Sequence, residues 1–264
     1  MKNLLLIITI LILGKANGQG LIQSGPMLGY SDFREVAIWV QTKNPAKVKF
    51  RFWDLENPTK TRETESANST KTNGYAVTAI ADSLLPGKKY GYELLVNGKV
   101  QKFNYPLRFQ TIPLWQFRSD PPEFIFAVGS CTYVNEPFWD RPGKSYGDSM
   151  QIFKTIFDKK PDLMLWIGDN TYTREGDWST RNGFLHRYSH TRALPELQPL
   201  LASTHHYATW DDHEYGPNDS DRSFWNKNIA SSVFKTFWPC PPGNPLGDGP
   251  VTSTFGWGDR KSVV

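Results

Sequence analysis

Apolar and polar positions alternate in short runs over the first third of the chain, and then the period changes. Val48, Phe50 and Phe52 alternate with Lys47, Lys49 and Arg51, which predicts a strand with one buried and one wet face. Glu35-Val36-Ala37-Ile38-Trp39-Val40 precedes it and Tyr75-Ala76-Val77-Thr78-Ala79-Ile80 follows. Tyr90-Gly91-Tyr92-Glu93-Leu94-Leu95-Val96 then runs into Asn97-Gly98, the dipeptide that most favours a two-residue hairpin turn. Residues 100–103 supply the return strand and residues 107–111 close the unit. Short strands with turns between them over residues 19–116 predict a β-sandwich of the immunoglobulin or fibronectin III kind.

Arg118-Ser119-Asp120-Pro121-Pro122 reads as a linker, and residues 117–264 as a second, α/β domain. Phe124-Ile125-Phe126-Ala127-Val128 predicts a buried strand ended by Gly129-Ser130-Cys131. After a polar loop, Asp148 can cap a helix with Ile152, Phe153, Ile156 and Phe157 on its apolar face, stopped at Pro161. Leu163-Met164-Leu165-Trp166-Ile167 is a second buried strand, which makes a strand–helix–strand unit with a right-handed crossover. Residues 173–192 read as a long polar loop and residues 194–201 as a short helix. His206-Tyr207-Ala208-Thr209-Trp210 is a third strand. A last helix is expected over residues 222–237, with Trp225, Ile229, Val233 and Phe237 on one face and Asp219 or Ser220 as its cap.

The three buried strands end in Gly129-Ser130-Cys131, Gly168-Asp169-Asn170-Thr171-Tyr172 and Asp211-Asp212-His213-Glu214. In a parallel sheet those ends face one crevice, where ligands of open α/β sheets bind. Gly168-Asp169 alone is equally well a turn after a strand. Four ionisable residues in a row crowd like charges unless a cation compensates them, the alternative being a solvated acidic turn. Together the ends bring a thiol, a phenol, several carboxylates and an imidazole to one place. That set suits a two-metal hydrolytic centre, where a carboxylate bridges cations about 4 Å apart.

Composition refines this picture. With 264 residues, ten of them Trp, a sizeable core is available. The formal charge of +4 falls to +2 without Lys2 and Lys15, which leaves no electrostatic footprint for nucleic acid. Those two lysines lie in residues 1–18, which have a positive start, an apolar run and the small residues Ala16 and Gly18 at the end. This is the pattern of a cleaved secretory signal, too short to span a membrane. The expected destination is therefore the periplasm or the exterior, with no membrane span after cleavage. In an exported protein the two cysteines, Cys131 and Cys240, read first as one disulfide.

The three strand-end motifs, in this order and spacing, resemble the PhoD-like alkaline phosphatase and phosphodiesterase family of the calcineurin-like metallophosphatase superfamily. The β-domain resembles that family's small N-terminal domain. Within it, Leu85-Pro86-Gly87-Lys88-Lys89-Tyr90-Gly91-Tyr92 resembles the fibronectin III segment in which a Tyr ties a corner to the chain. The resemblance implies hydrolysis of small-molecule or polymer phosphate esters with iron (Fe3+) and calcium, or another divalent pair. It implies Cys131, Asp169, Tyr172 and Asp212 as metal ligands and His213 as the catalytic residue. Asn170, Asp211 and Glu214 would support the ligands, and a ligating Cys131 would exclude the disulfide. Arg174 and His186, with Asn135, Arg181, Asn182, Arg187 and His190, are candidates for the substrate mouth, the alternative for each being a solvated loop residue.

The family domain continues past Phe255-Gly256-Trp257-Gly258-Asp259 into strands that bring further histidine ligands, whereas no His follows His213 here. The expectation is therefore an incomplete catalytic domain, weakly active or inactive as it stands. Its closing residues 260–264 resemble a translated sequencing adapter. The rival expectation is a secreted β-sandwich binding protein with a degenerate metallophosphatase domain.

Overall fold

The computed structural model describes residues 18–146, 149–241 and 251–263. The expected secretory leader, up to residue 17, and the expected helix cap Asp148 lie outside the described residues. The N-terminal part is an all-β sandwich, and an α/β region follows it.

One sheet of the sandwich is built on β3 (Ala46–Asp54) and β7 (Lys89–Val96), paired antiparallel with Phe50 opposite Leu94. β4 (Thr61–Glu63) and β5 (Ala67–Ser69) edge β3, while β8 (Lys99–Val100) and β9 (Arg108–Gln110) edge β7. The alternation in β3 is realised: Val48, Phe50 and Phe52 are buried, and Lys49 and Arg51 reach Glu63 on the wet face. Each buried side chain of this size contributes roughly 1.5–3 kcal/mol. The β7–β8 turn places Asn97 and Gly98 both at positive φ, as a type I′ turn demands. The Tyr90 hydroxyl accepts the Leu85 N–H at 2.9 Å, which ties the corner before β7.

The other sheet is continuous across the whole molecule. Its order is β10 (Phe126–Gly129), β11 (Leu163–Ile167), β12 (His205–Thr209), β1 (Ile22–Ser31), β2 (Val36–Thr42) and β6 (Ala76–Ala81). The first four run parallel, and β1–β2–β6 are antiparallel. Leu28 of β1 lies opposite His205 of β12, so the N-terminal strand joins the sandwich to the α/β region. One face of β1 and β2 packs Leu28, Ile38 and Val40 against Phe50, Tyr92 and Phe109. The other packs Met27 and Trp39 against helices. Burial on both faces explains why β2 reads as an unbroken apolar run. Tyr92 reaches out of the sandwich core to donate to the Ala202 carbonyl at 2.7 Å.

The helices are α1 (Gln151–Asp158), α2 (Arg181–Arg192), α3 (Gln198–Ser203), α4 (Asp212–Tyr215) and α5 (Lys227–Phe237). No described helix is long and apolar enough to cross a membrane. Four expectations need correction. Residues 181–192 are helix rather than loop: Thr180 caps α2 by accepting the Gly183 N–H at 3.1 Å, and Phe184, Leu185 and Tyr188 are buried on its inner side. β10 is not a buried strand. It is the sheet edge, and Phe126 stays 54% exposed because no described element covers its outer face. Ile152 of α1 is exposed and only Phe153 of that helix is fully buried. Trp225, 69% exposed, precedes α5, which begins five residues later than expected. β13 (Thr254–Trp257) and β14 (Arg260–Val263) form a hairpin, and Phe255 stacks on Tyr207 at 3.8 Å.

Candidate metal centre

Two strand ends are built around backbone conformations that favour glycine or cost energy. Gly168 has φ +104°, and a Cβ there would lie 2.7 Å from Cβ of Asp211, so only glycine lets β11 meet the α4 segment. Asp169 and Cys131 both sit at positive φ, 52° and 56°, where a non-glycine residue costs on the order of 1–3 kcal/mol. The two turns hold each other: the Thr132 N–H donates to the Asp169 carbonyl at 2.7 Å, and the Cys131 N–H to that of Gly168 at 3.3 Å.

Glu214 organises the floor. It is fully buried, and its carboxylate accepts the N–H groups of Asp169 (3.0 Å), Thr171 (3.2 Å), Asp211 (3.1 Å) and Asn170. One side chain thus ties the loop after β11 to the start of α4. Burial pushes its pKa up to about 8 against the pull of the backbone donors, and the neighbouring Asp169 charge adds to the rise. Asn170 is also buried, with its amide donating to the Thr209 carbonyl at 2.8 Å. Thr173 clasps the far side, its hydroxyl donating to the His213 carbonyl at 2.6 Å.

On this floor Asp169, Asp212 and His213 bring ligand atoms within 4.8 Å of one another. The Tyr172 hydroxyl donates to Asp169 Oδ2 at 3.0 Å, and Cys131 Sγ lies 3.7 Å from the same oxygen. The Tyr172 and His213 rings pack against each other at a 35° tilt, with centroids 4.2 Å apart. All five residues expected to act on a metal or substrate therefore share one place. Burial, then Cys131 and Asp169, push the Tyr172 phenol well above its ordinary pKa, so without a cation it is protonated. Cys131 and Cys240 are both free thiols, so the disulfide reading does not hold. Asp211 starts α4 and lends its N–H to Glu214.

The donor set fits a cation. Asp169 Oδ1 is buried with no hydrogen-bond donor among the described residues. No Arg or Lys among them forms an ion pair with Asp169, Asp211 or Asp212. An orphaned buried carboxylate oxygen needs a positive partner. Carboxylate, imidazole, phenol and thiol together suit transition metals as well as harder ions.

The other expected mouth residues divide. Arg174 lies near the centre: its guanidinium donates to the Tyr133 hydroxyl at 2.6 Å and sits 4.8 Å from that ring's centroid. Arg187 is buried rather than solvated and bonds Asp177 at 2.8 Å, with Glu136 and Asp140 at 3.3 and 3.4 Å. His186 pairs with Glu136 at 2.8 Å on the exposed side of α2. Arg181 instead reaches the Thr72 carbonyl and Ser232. Nothing local in the sequence singles out Tyr133, Glu136, Asp140 or Asp177. The available signal was Arg187, which falls on the buried side of α2 beside Phe184 and Tyr188 and so demands buried acids.

Residues 19–112 match the family model described as a domain of unknown function, DUF7800. No curated protein matches the sequence. Among solved structures, PhoD superposes with a TM-score of 0.70 at 19% identity, covering 90% of this chain and 50% of PhoD. The purple acid phosphatase PPD1 from yellow lupin (Lupinus luteus) seeds gives 0.60 at 14% identity, covering 88% of this chain and 42% of that one. The chain spans about half the length of the structures it matches. Its fold is the one shared by PhoD and a plant purple acid phosphatase.

Proposed function

We propose that this chain carries the core of an exported, metal-dependent phosphoester hydrolase, acting on small-molecule or polymer phosphate esters. The observation that carries the proposal is the orphaned Asp169 Oδ1, buried within a cluster of Asp212 and His213 ligand atoms. In this reading Cys131, Asp169, Tyr172 and Asp212 would hold the metals, and His213 beside them is left to act on the substrate. Iron with calcium, or another divalent pair, would supply Lewis-acid activation of the attacking water and of the phosphoryl oxygens. The similarity of fold to PhoD and to a plant purple acid phosphatase supports this class of reaction. The apolar leader of residues 1–18 supports export.

The chain's own residues have separable tasks. Glu214 and Thr173 hold Asp169 and His213 in register through backbone bonds. His213 packs on the Tyr172 ring and faces the same space as the carboxylates. As the attacking water forms its P–O bond and the ester P–O bond breaks, the His213 imidazolium gives its proton to the departing oxygen. The proton released by the water restores it. Asp169→Asn keeps the shape and removes the charge. The expected result is loss of bound metal, measured by elemental analysis, and at least a hundredfold fall in hydrolysis of bis(p-nitrophenyl) phosphate. A variant that keeps both metal and rate would overturn the assignment, as would a wild-type chain that binds no metal.

A further inference from the structure

A row of aromatic rings leads out of the candidate metal centre. His213 packs against Tyr172 with ring centroids 4.2 Å apart, Tyr172 lies 5.0 Å from Tyr133, and Tyr133 lies 4.9 Å from Tyr146. The inner end touches Asp169, and the outer end, Tyr146, is 63% exposed. An exposed aromatic on a loop is ordinary, but this one is fixed. The Tyr146 N–H donates to Asn135 Oδ1 at 3.0 Å, and the Asn135 amide donates to the Tyr146 carbonyl. The same loop is pinned further back by Glu136 and Asp140 on buried Arg187. Arg174 lies over Tyr133 and orients its hydroxyl. Rigid aromatic side chains lose little entropy on binding and present large apolar faces.

Resting on the reading of the site as a phosphoester hydrolase, we propose that Tyr133 and Tyr146 form the subsite for the organic half of the ester. The group they select is a flat aromatic one, an aryl group or a nucleobase. The phosphoryl group would then sit at Asp169, Asp212 and His213. The adjoining ring would lie along the Tyr133–Tyr146 wall, since the row starts at the cluster and runs away from it without a break. Stacking on a fixed ring favours flat π-systems over saturated groups of equal size, which match its area but not its electrostatics.

Phenylphosphonate, cyclohexylphosphonate and methylphosphonate are not hydrolysed and share one phosphoryl head, so their direct calorimetric binding to the Mn2+-loaded full chain isolates the organic group. The expected result is phenylphosphonate binding about tenfold tighter than the other two. Tyr146→Phe keeps that preference, and Tyr146→Ala reduces it to less than threefold while leaving methylphosphonate binding and the melting temperature unchanged. Equal binding of the phenyl and cyclohexyl compounds overturns the aromatic subsite and leaves the hydrolase reading intact. A preference that survives Tyr146→Ala does the same. Binding of none of the three to the metal-loaded chain overturns both.

Discussion

Replacing Glu214 by Gln tests whether one buried carboxylate builds the site. The change adds no volume, so packing is held constant and only hydrogen bonding changes. Glu214 Oε2 accepts the N–H groups of Asp169 and Asp211, and Oε1 those of Asn170 and Thr171. Gln keeps one acceptor oxygen and turns the other into a donor. Two of the four N–H groups then face an amide N–H in a place that water does not reach, Glu214 being 0% exposed. A buried donor left unmet costs about 1–3 kcal/mol, so the pair costs roughly 2–6 kcal/mol. That is a large fraction of the about 5–15 kcal/mol that a domain typically has. The strained φ of Asp169 is held by the same bonds, so the loop should relax and the ligand atoms separate. Urea unfolding of the wild type and the variant at pH 9, above the Glu214 pKa of about 8, measures the stability, and calorimetric titration with Mn2+ measures the cluster. The expected outcome is a loss above about 2 kcal/mol with at least tenfold weaker metal binding. A variant within about 0.5 kcal/mol of wild type and with unchanged metal affinity would refute the reasoning. It would mean that the charged carboxylate is not what holds the four N–H groups in place.

Two further perturbations test the frame around the site. Tyr92→Phe deletes the hydroxyl that reaches the Ala202 carbonyl at 2.7 Å. It should lower stability by about 1–2 kcal/mol in urea without changing metal binding; no change in the midpoint would mean that the sandwich and α3 are not coupled through this bond. Burial holds His205 down to about 4 and His206 down to about 3. The unfolded chain takes up these protons first, so stability is complete above the ordinary value near 6.5. It is lost as pH falls through the window down to about 4 for one and about 3 for the other, at up to roughly 1.4 kcal/mol per pH unit for each. Unfolding free energy measured from pH 7 to pH 4.5 should fall accordingly, and His206→Asn should flatten the slope; a slope that this variant leaves unchanged would remove His206 from the account.

Much of the architecture was legible from local pattern. The alternation in 47–52, the Asn97-Gly98 turn and the unbroken run of 163–167 each reflect the geometry of a single strand, and each forms, although Ile167 at the end of the last is exposed rather than buried. The convergence of Cys131, Asp169, Tyr172, Asp212 and His213 was also legible, because strand ends in a parallel sheet share an edge whatever the remaining chain does. The capping pattern of Asp211 and Glu214 was visible too, but not its outcome. As the third residue of α4, Glu214 binds the Asp211 N–H locally, whereas its bonds to Asp169, Asn170 and Thr171 cross some forty residues.

Tertiary structure decided the rest. β1 has no alternation to read in Ser24-Gly25-Pro26-Met27-Leu28, since both of its faces are covered, and its partner His205 lies far along the chain. The polar look of residues 181–192 hid a helix because Arg187 and Arg192 are buried there, one among acids and the other against Trp238. An arginine reads as exposed until its partners are known. The apolar run at 124–128 looked like core but forms the sheet edge, for apolarity records what a strand can bury, while its neighbours determine what is covered. Periodicity and strand-end chemistry are properties of a few adjacent residues, so sequence carries them; the order of strands in a sheet and the partner of a buried charge depend on chain brought back from a distance, and only the folded molecule supplies them.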